Sequence, residues 1–471
     1  MNTRKLHKKA GIFAGLFLLI LSLTGFFLNH DQWNFQYQWT LPNSVLPDSV
    51  AKAEKSLFQS KAIHPEDVQW QIVGGMRGVF VSLDGGVNYQ QTSKHQFYAL
   101  RWLNNVLYGA TEDGILRSKD YGLTWQAFAL SGRWVNALAA DGDKLLASVD
   151  KSHLVLLTPQ AEILSETTVT LPEDQLAKNI TLSRFVRDFH YGRGLFDNGW
   201  SLLLNDITAW ILVFSALSGS WIWWSLRRAK KRQQESKGLV KWIKKVMGVH
   251  SHGLVLLAIP FLLLFALTGI VLDHSQFFNK PLKQVVLPIE TLPPVYRSLQ
   301  EDIWSVDVKV DAKEDQQQAV TYRVGNRFGV YESADLSNWR KVSDGFAYRM
   351  TRLTDTLYVS GMGSPARIYT DYTGWLDIKA PHMFRDVYQK NYQAFYFKGH
   401  GKSDQQVPHL TDSSFYSIML TLHDGTFFAG WWVWINDFAS VLLIVLLVTG
   451  LMRWQKKPSG FKRLLKRQIK E

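Results

Sequence analysis

Four apolar stretches interrupt an otherwise polar chain, at roughly 10–29, 207–226, 253–273 and 433–452. Each has about the 20 residues a helix needs to cross a bilayer, so the pattern predicts four transmembrane helices. The first and third are near copies, AGIFAGLFLLILSLTGFFLN and GLVLLAIPFLLLFALTGIVL, both carrying Leu-Thr-Gly (Leu23-Thr24-Gly25; Leu267-Thr268-Gly269). A histidine stands five residues beyond each of those glycines, His30 and His274, and histidines also precede each copy, His7 and then His250 and His252. The first stretch has the basic start of a signal peptide. It lacks a small-x-small cleavage site, and its twin lies mid-chain, so it reads as a retained span.

The long polar segments have the pattern of short strands: VQWQIV, GVFVSL, FYALRW, VLYGAT, KLLASV and HLVLL, separated by Gly, Asn and Asp turns. A helix is expected ahead of them, from Asp48 to Ser60 after Pro47. Among the strands, SKDYGLTW (Ser118, Asp120, Gly122, Thr124, Trp125) matches the Asp-box hairpin S-x-D-x-G-x-T-W, in which Asp caps the turn and Trp packs beneath it. SLDGGVNY (Ser82, Asp84, Gly86), SADLSNW (Ser333, Asp335, Trp339) and TDYTGW (Asp371, Gly374, Trp375) are weaker echoes, at spacings of about 35–40 residues within each segment, the period of propeller blades. The expected fold is a membrane α-helical bundle of four transmembrane helices with β-rich, propeller-like, Asp-box periplasmic ectodomains. Its parts are a head at 1–9, spans at 10–29, 200–226, 250–273 and 431–453, β-rich segments at 30–199 and 274–430, a basic loop at 227–249 and a tail at 454–471.

Charge orients this arrangement. The head, the loop and the tail, together with Arg453 at the end of the last span, hold 21 of the 53 basic residues and only two of the 40 acidic ones, Glu235 and Glu471. By the positive-inside rule these parts are cytoplasmic. Both termini are then inside a bacterial inner membrane and the two polar segments are periplasmic. The overall net charge of +13 is therefore a topology signal. Nucleic-acid binding is disfavoured, because the basic residues lie in membrane flanks and not on a folded domain. Membrane lipid is the expected surrounding, and tryptophans at the ends of the second and fourth spans form an interfacial belt (Trp200, Trp210, Trp224, Trp431, Trp434). With no cysteine there is no disulfide, thiolate ligand or iron–sulfur cluster. The cytoplasmic parts are too short for a dinucleotide-binding βαβ unit.

The histidines recur in matched positions at membrane edges, where ionisable groups are costly and often functional. Before the even spans, FHYGRGLFDNGW…SG carries His190 and Asp206, and LHDGTFFAGWW…TG carries His423 and Asp437. Asp206 and Asp437 each follow an Asn and stand 13 residues before Gly219 and Gly450. They read as helix N-caps, or alternatively as partners that orient a ligand imidazole. Here the chain resembles the PepSY-associated transmembrane family, whose spans carry LH-x3-G…LTG and LHxG…D…TG. The matches are LHKKAG with LTG, LHDG with ND and TG, and the looser FHYG with ND and SG.

That resemblance implies one or more haem b groups and an activity similar to inner-membrane ferric-siderophore reductases. Electrons would come from a separate cytoplasmic reductase or a quinol, and a periplasmic ferric chelate would accept them. Imidazole suits haem iron. Spans two and four have no histidine near their cytoplasmic ends, so an inner pair should join His7 to His250 or His252, only one of which can face it. The outer site has four candidates, His30, His190, His274 and His423, with His190 and His423 favoured by the family's LHxG position. Iron ligation is thus expected of His7, His250, His190 and His423. Arg193, with Arg187, would pair with haem propionates. From His7 to His30 is roughly 35 Å along a straight helix, far for one electron step unless the outer ligands dip inward. The rival expectation is a non-enzymatic, membrane-anchored, β-propeller-like binding or assembly scaffold.

Overall fold

The computed structural model describes residues 3–176, 178–196, 199–232, 237–251, 253–298, 302–311, 319–381, 383–399 and 407–455. His252 and the tail beyond 455 lie outside them. The chain divides into two compact units. One comprises 1–30, 180–287 and 418–471, and the other 31–179 and 288–417.

In the first unit, three helices among the described residues are long and apolar enough to cross a membrane: Thr3–Leu28, Trp200–Ala229 and Gly430–Gln455. A fourth span is present if the pair Gly238–Leu257 and Ile259–Asp273, bent by 74°, is counted as one. The break falls at Ala258, two residues before Pro260, which has no N–H to give the preceding turn. The first helix packs against both the second and the last, and the last packs against Ile259–Asp273. Small residues permit this: Ala14, Ala266 and Ala439 are buried at the centre with Leu18 and Leu443. Large apolar side chains such as Phe13, Leu16 and Leu217 point away from it and stay exposed, as helices facing lipid require.

Residues 180–196 fold with the spans, although the sequence pattern joined them to the first β-rich segment. They include a short helix, Leu182–His190, whose N-cap Thr181 accepts a hydrogen bond from the Arg184 N–H. A matching helix, Phe415–His423, precedes the last span. Each ends on a histidine.

In the second unit both polar segments fold together. Five four-stranded antiparallel sheets follow one another in chain order, and a two-stranded sheet closes the series. Their first strands are Phe58–Ile63, Phe97–Leu103, Val135–Asp141, Ser305–Asp311, Arg349–Leu353 and Asp386–Lys390. Each first strand packs against the next, and the sixth packs against the first. Burial ends at the fourth strand of each four-stranded sheet, which has no buried position. Phe58–Ile63 is buried at every position, whereas the fourth strands Gln90–Ser93 and Gln126–Ala129 are exposed or half-buried. Five of the six expected runs are strands almost throughout, the strand in VQWQIV begins only at Gln71, and the expected helix is shorter, Asp48–Glu54. The strand Thr40–Pro42 pairs with Asp412–Ser414 and ties the start of one polar segment to the end of the other.

The Asp-boxes occupy the hairpins between third and fourth strands. In the full match, Ser118 Oγ donates to Asp120 Oδ1 at 2.7 Å, Asp120 Oδ1 accepts the Thr124 N–H at 2.9 Å, and Trp125 Nε1 donates to Gly122 O at 3.1 Å. The echoes at Asp84 and Asp335 repeat the turn. In the third echo Asp371 instead meets Lys309, and Thr373 closes the turn through Thr370. The Asn88 N–H, with the Ser82 hydroxyl and the Asn88 side chain, holds the Asp84 pKa down to about 2. A carboxyl whose folded pKa is depressed stabilises the fold above its unfolded pKa, near 4, and stops doing so as pH falls through the folded value. Thermal melts of wild type and Asp84→Asn are therefore expected to differ most above pH 4 and to converge towards pH 2. A gap that ignores pH would remove this role from Asp84.

Candidate cofactor site: four histidines on four hydroxyls

Every apolar span carries Ser or Thr followed by Gly near one end: Thr24-Gly25, Ser218-Gly219, Thr268-Gly269 and Thr449-Gly450. Each of these steps receives one histidine. His423 Nδ1 lies 2.9 Å from Thr24 Oγ1, and His190 Nδ1 lies 2.9 Å from Thr268 Oγ1. His250 Nδ1 lies 2.7 Å from Ser218 Oγ, and His7 Nδ1 lies 2.8 Å from Thr449 Oγ1. The glycines make room for the rings. A Cβ on Gly25 would stand 3.2 Å from His423 Cε1, and one on Gly219, Gly269 or Gly450 would stand 3.5–3.6 Å from the matching Cε1.

Hydrogen-bond accounting fixes the tautomer. Each hydroxyl already donates to the carbonyl four residues back, Thr24 to Ile20, Ser218 to Phe214, Thr268 to Leu264 and Thr449 to Val445, at 2.6–2.8 Å. A hydroxyl has one proton, so towards the imidazole it can only accept. Nδ1 therefore carries the ring proton and Nε2 presents its lone pair. This is the form in which imidazole binds a metal.

The histidines group in two pairs. His190 and His423 face each other with ring centroids 6.2 Å apart and planes at 51°. At the other end of the spans, His7 and His250 are close enough to interact electrostatically. Of the two third-span candidates expected to join His7, His250 lies near it and His252 is outside the described residues. The sequence pattern held no hint that the hydroxyls come from spans four and two. Thr24 and His7 are 17 residues apart on one helix, about 25 Å, so the favoured outer pair does lie further in than His30.

His30 and His274 are engaged elsewhere. His30 Nδ1 meets Phe26 O at 2.9 Å, and its Nε2 is 3.4 Å from Asp206 Oδ2. His274 Nε2 is 2.6 Å from Asp437 Oδ2. The N-cap reading of the two aspartates is thereby corrected. The helices begin earlier, at Trp200 and Val433, so Asp206 and Asp437 lie inside them and turn to a histidine. Arg193 follows the Leu182–His190 helix, and its N–H donates to Asp188 O at 2.8 Å.

The Gly two residues beyond each outer histidine also has a structural cause. Gly192 (φ +67°) and Gly425 (φ +78°) take the left-handed conformation that a side chain resists. Each comes against the Asn of the following helix, Asn205 or Asn436, and Asn436 Nδ2 donates to His423 O at 2.9 Å. This H-x-G turn closed by a downstream Asn-Asp is repeated twice in one chain. The family model described as "PepSY-associated TM region" matches residues 4–457. The chain belongs to that family.

Membership in the PepSY-associated TM region family, with the long apolar helices, establishes a membrane protein. No curated protein matches the chain. Among solved structures it is similar to YCF48 from Cyanidioschyzon merolae (9% identity, 67% of this chain and 66% of that one, TM-score 0.28). It is also similar to YCF48 bound to D1 peptide (12%, 73% and 76%, 0.30) and to an ancestral GH74 enzyme (12%, 73% and 38%, 0.31). At these scores the likenesses carry no argument about this family member.

Proposed function

We propose that this protein is a haem-b oxidoreductase of the bacterial inner membrane that passes electrons outward to a periplasmic ferric chelate. The observation that carries the reading is the set of four histidine–hydroxyl contacts, which hold four imidazoles on the spans in two groups of two. The 6.2 Å between the His190 and His423 rings matches an iron held between them, at about 2 Å per metal–nitrogen bond. Among the described residues no three His, Cys, Asp or Glu side chains gather at one point. Paired ligands suit a metal whose other positions a macrocycle fills, and serve a bare ion poorly.

His190 and His423 would hold one haem, and His7 and His250 a second. Bound haem supplies one-electron transfer at each end of the bundle. The protein's own residues do the rest. The four hydroxyls hold each ring proton at Nδ1, the glycines let the rings approach the helices, and the apolar wall around His190, including Phe265 at 5.9 Å, keeps water out. Arg187 and Arg193, on either side of His190 in sequence, supply positive charge for propionates. The basic flanks place both termini in the cytoplasm and the sheet unit in the periplasm. The cyclic order of six first strands supports a six-bladed propeller whose last blade has two strands. The donor is a separate cytoplasmic reductase or a quinol.

The test is an absorption spectrum of the detergent-purified protein, oxidised and then reduced with dithionite, after expression with haem supplied. Sharp bands of six-coordinate b haem are expected, with a pyridine-haemochrome count of two per chain. A colourless protein from haem-replete cells would overturn the reading and favour the scaffold alternative.

A further inference from the structure

The first strands of all six sheets contribute to one small cavity, lined among others by Gln59, Arg101, Asn136, Ser305, Arg349 and Arg385. Its charges do not balance. Asp386, the carboxylate in that lining, is already saturated. It takes Arg101 Nη1 at 3.2 Å, the hydroxyls of Ser60 and Thr351, and the Val387 N–H. Arg349 and Arg385 are left with neutral acceptors. Arg349 donates to Trp304 O and to Gln59 Oε1, both at 3.3 Å. Arg385 donates to the same Gln59 Oε1 at 3.3 Å and to the Tyr348 hydroxyl. Both guanidiniums stack on the Tyr348 ring, at 4.8 and 5.5 Å. Neither has an ion pair among the described residues, and the Nε of each is buried without a hydrogen-bond partner. Burial first, then the neighbouring Arg385 and Arg101, pull the Arg349 pKa below its ordinary value. One layer out, the Lys151 ammonium lies over the faces of Trp304 and Trp134 at 4.3 and 4.9 Å and adds a further positive charge.

Two half-buried guanidiniums with buried Nε atoms, sharing one neutral amide oxygen, are costly, because a charge withdrawn from water demands a counter-charge. Guanidinium N–H groups are also strong donors to anions. We propose that the hub of the sheet unit is a binding site for one small anion, held between Arg349 and Arg385. The cavity volume of about 10 Å³ admits a single guest of roughly the size of a water molecule. Chloride, or the carboxylate end of a larger ligand, has that chemistry. The site does not depend on the reading of the histidines, because none of its residues belongs to the span unit.

The experiment uses the full-length protein in detergent at constant ionic strength. A bulky sulfonate salt is replaced stepwise by chloride or by acetate while the melting of the sheet unit is followed. The melting temperature of wild type is expected to rise and saturate. Arg349→Gln and Arg385→Gln should each abolish the rise, and Arg340→Gln, whose side chain is 74% exposed, should keep it. A response to chloride identifies a free ion, and one to acetate alone identifies the carboxylate of a larger ligand. If either variant fails to fold, chlorine-35 line broadening on wild type, reversed by bromide, gives the same answer. Identical melts in all three salts, with no broadening, would overturn the proposal.

Discussion

Replacing His190 or His423 by alanine should lower the haem content from two per chain to one. Replacing His7 or His250 should remove the other, and a double variant taking one histidine from each pair should be colourless. The expectation follows from pairing. Each imidazole is held by its own hydroxyl, on a different span from that of its opposite number, so losing one pair leaves the other intact. Pyridine-haemochrome counts on purified variants read this directly. Haem unchanged in all four single variants would remove the histidines from the site. Thr268→Val sharpens the test. The methyl keeps the volume but gives His190 Nδ1 no acceptor, so the ring loses the bond that fixes its proton. Loss of such a partner typically weakens metal binding 10–100-fold. A haem titration should show this together with a shifted midpoint potential, and Thr268→Ser should restore both. A residue that merely filled space would be rescued by Val and not by Ser.

Asp307→Ala should melt the sheet unit at a much lower temperature. Asp307 is 2% exposed and bonds two guanidiniums, Arg323 Nη1 at 3.1 Å and Arg352 Nε and Nη2 at 3.0 and 2.5 Å. These contacts join the first strand of the fourth sheet to its second strand and to the first strand of the fifth. Removing one partner of a buried ion pair strands the other charge, at a cost of about 3–5 kcal/mol. For a unit of this size that is on the order of 10 °C in melting temperature. The β-sheet circular dichroism signal would report it. Arg340→Ala is the control, because its pairing with Glu332 is solvent-exposed and worth little. Equal shifts in the two variants would deny Asp307 this role.

Much of the candidate site was visible before the fold. His190 and His423 stood out because the H-x-G turn repeats, and the structure brings their ring centroids within 6.2 Å. His30 and His274 looked equally eligible, since both stand five residues past a Leu-Thr-Gly step. They differ in what surrounds them, a carboxylate within 2.6–3.4 Å in each case, and no local pattern displays that. The hydroxyls of Thr24, Ser218, Thr268 and Thr449 were overlooked for a different reason. Ser or Thr before Gly at the end of a span reads as a helix-packing feature, although its recurrence in all four spans was a usable signal. The Asp-boxes were legible because every hydrogen bond in such a hairpin closes within a few residues.

The sequence by itself determined the membrane class, the apolar stretches, most strands of the polar segments and the six histidines that the structure describes. These are properties of short windows: length, periodicity, charge and turn chemistry. Only the tertiary structure decided that two polar segments, separated by the middle spans, build one unit of six sheets. It alone decided which histidine meets which hydroxyl, because those partners lie 32, 78, 399 and 442 residues apart. The same holds for Arg349, Arg385 and Gln59, which three different strands bring to one hub. Contacts at such separations are chosen by how helices and sheets pack, and packing is a property of the whole chain that no window of residues encodes.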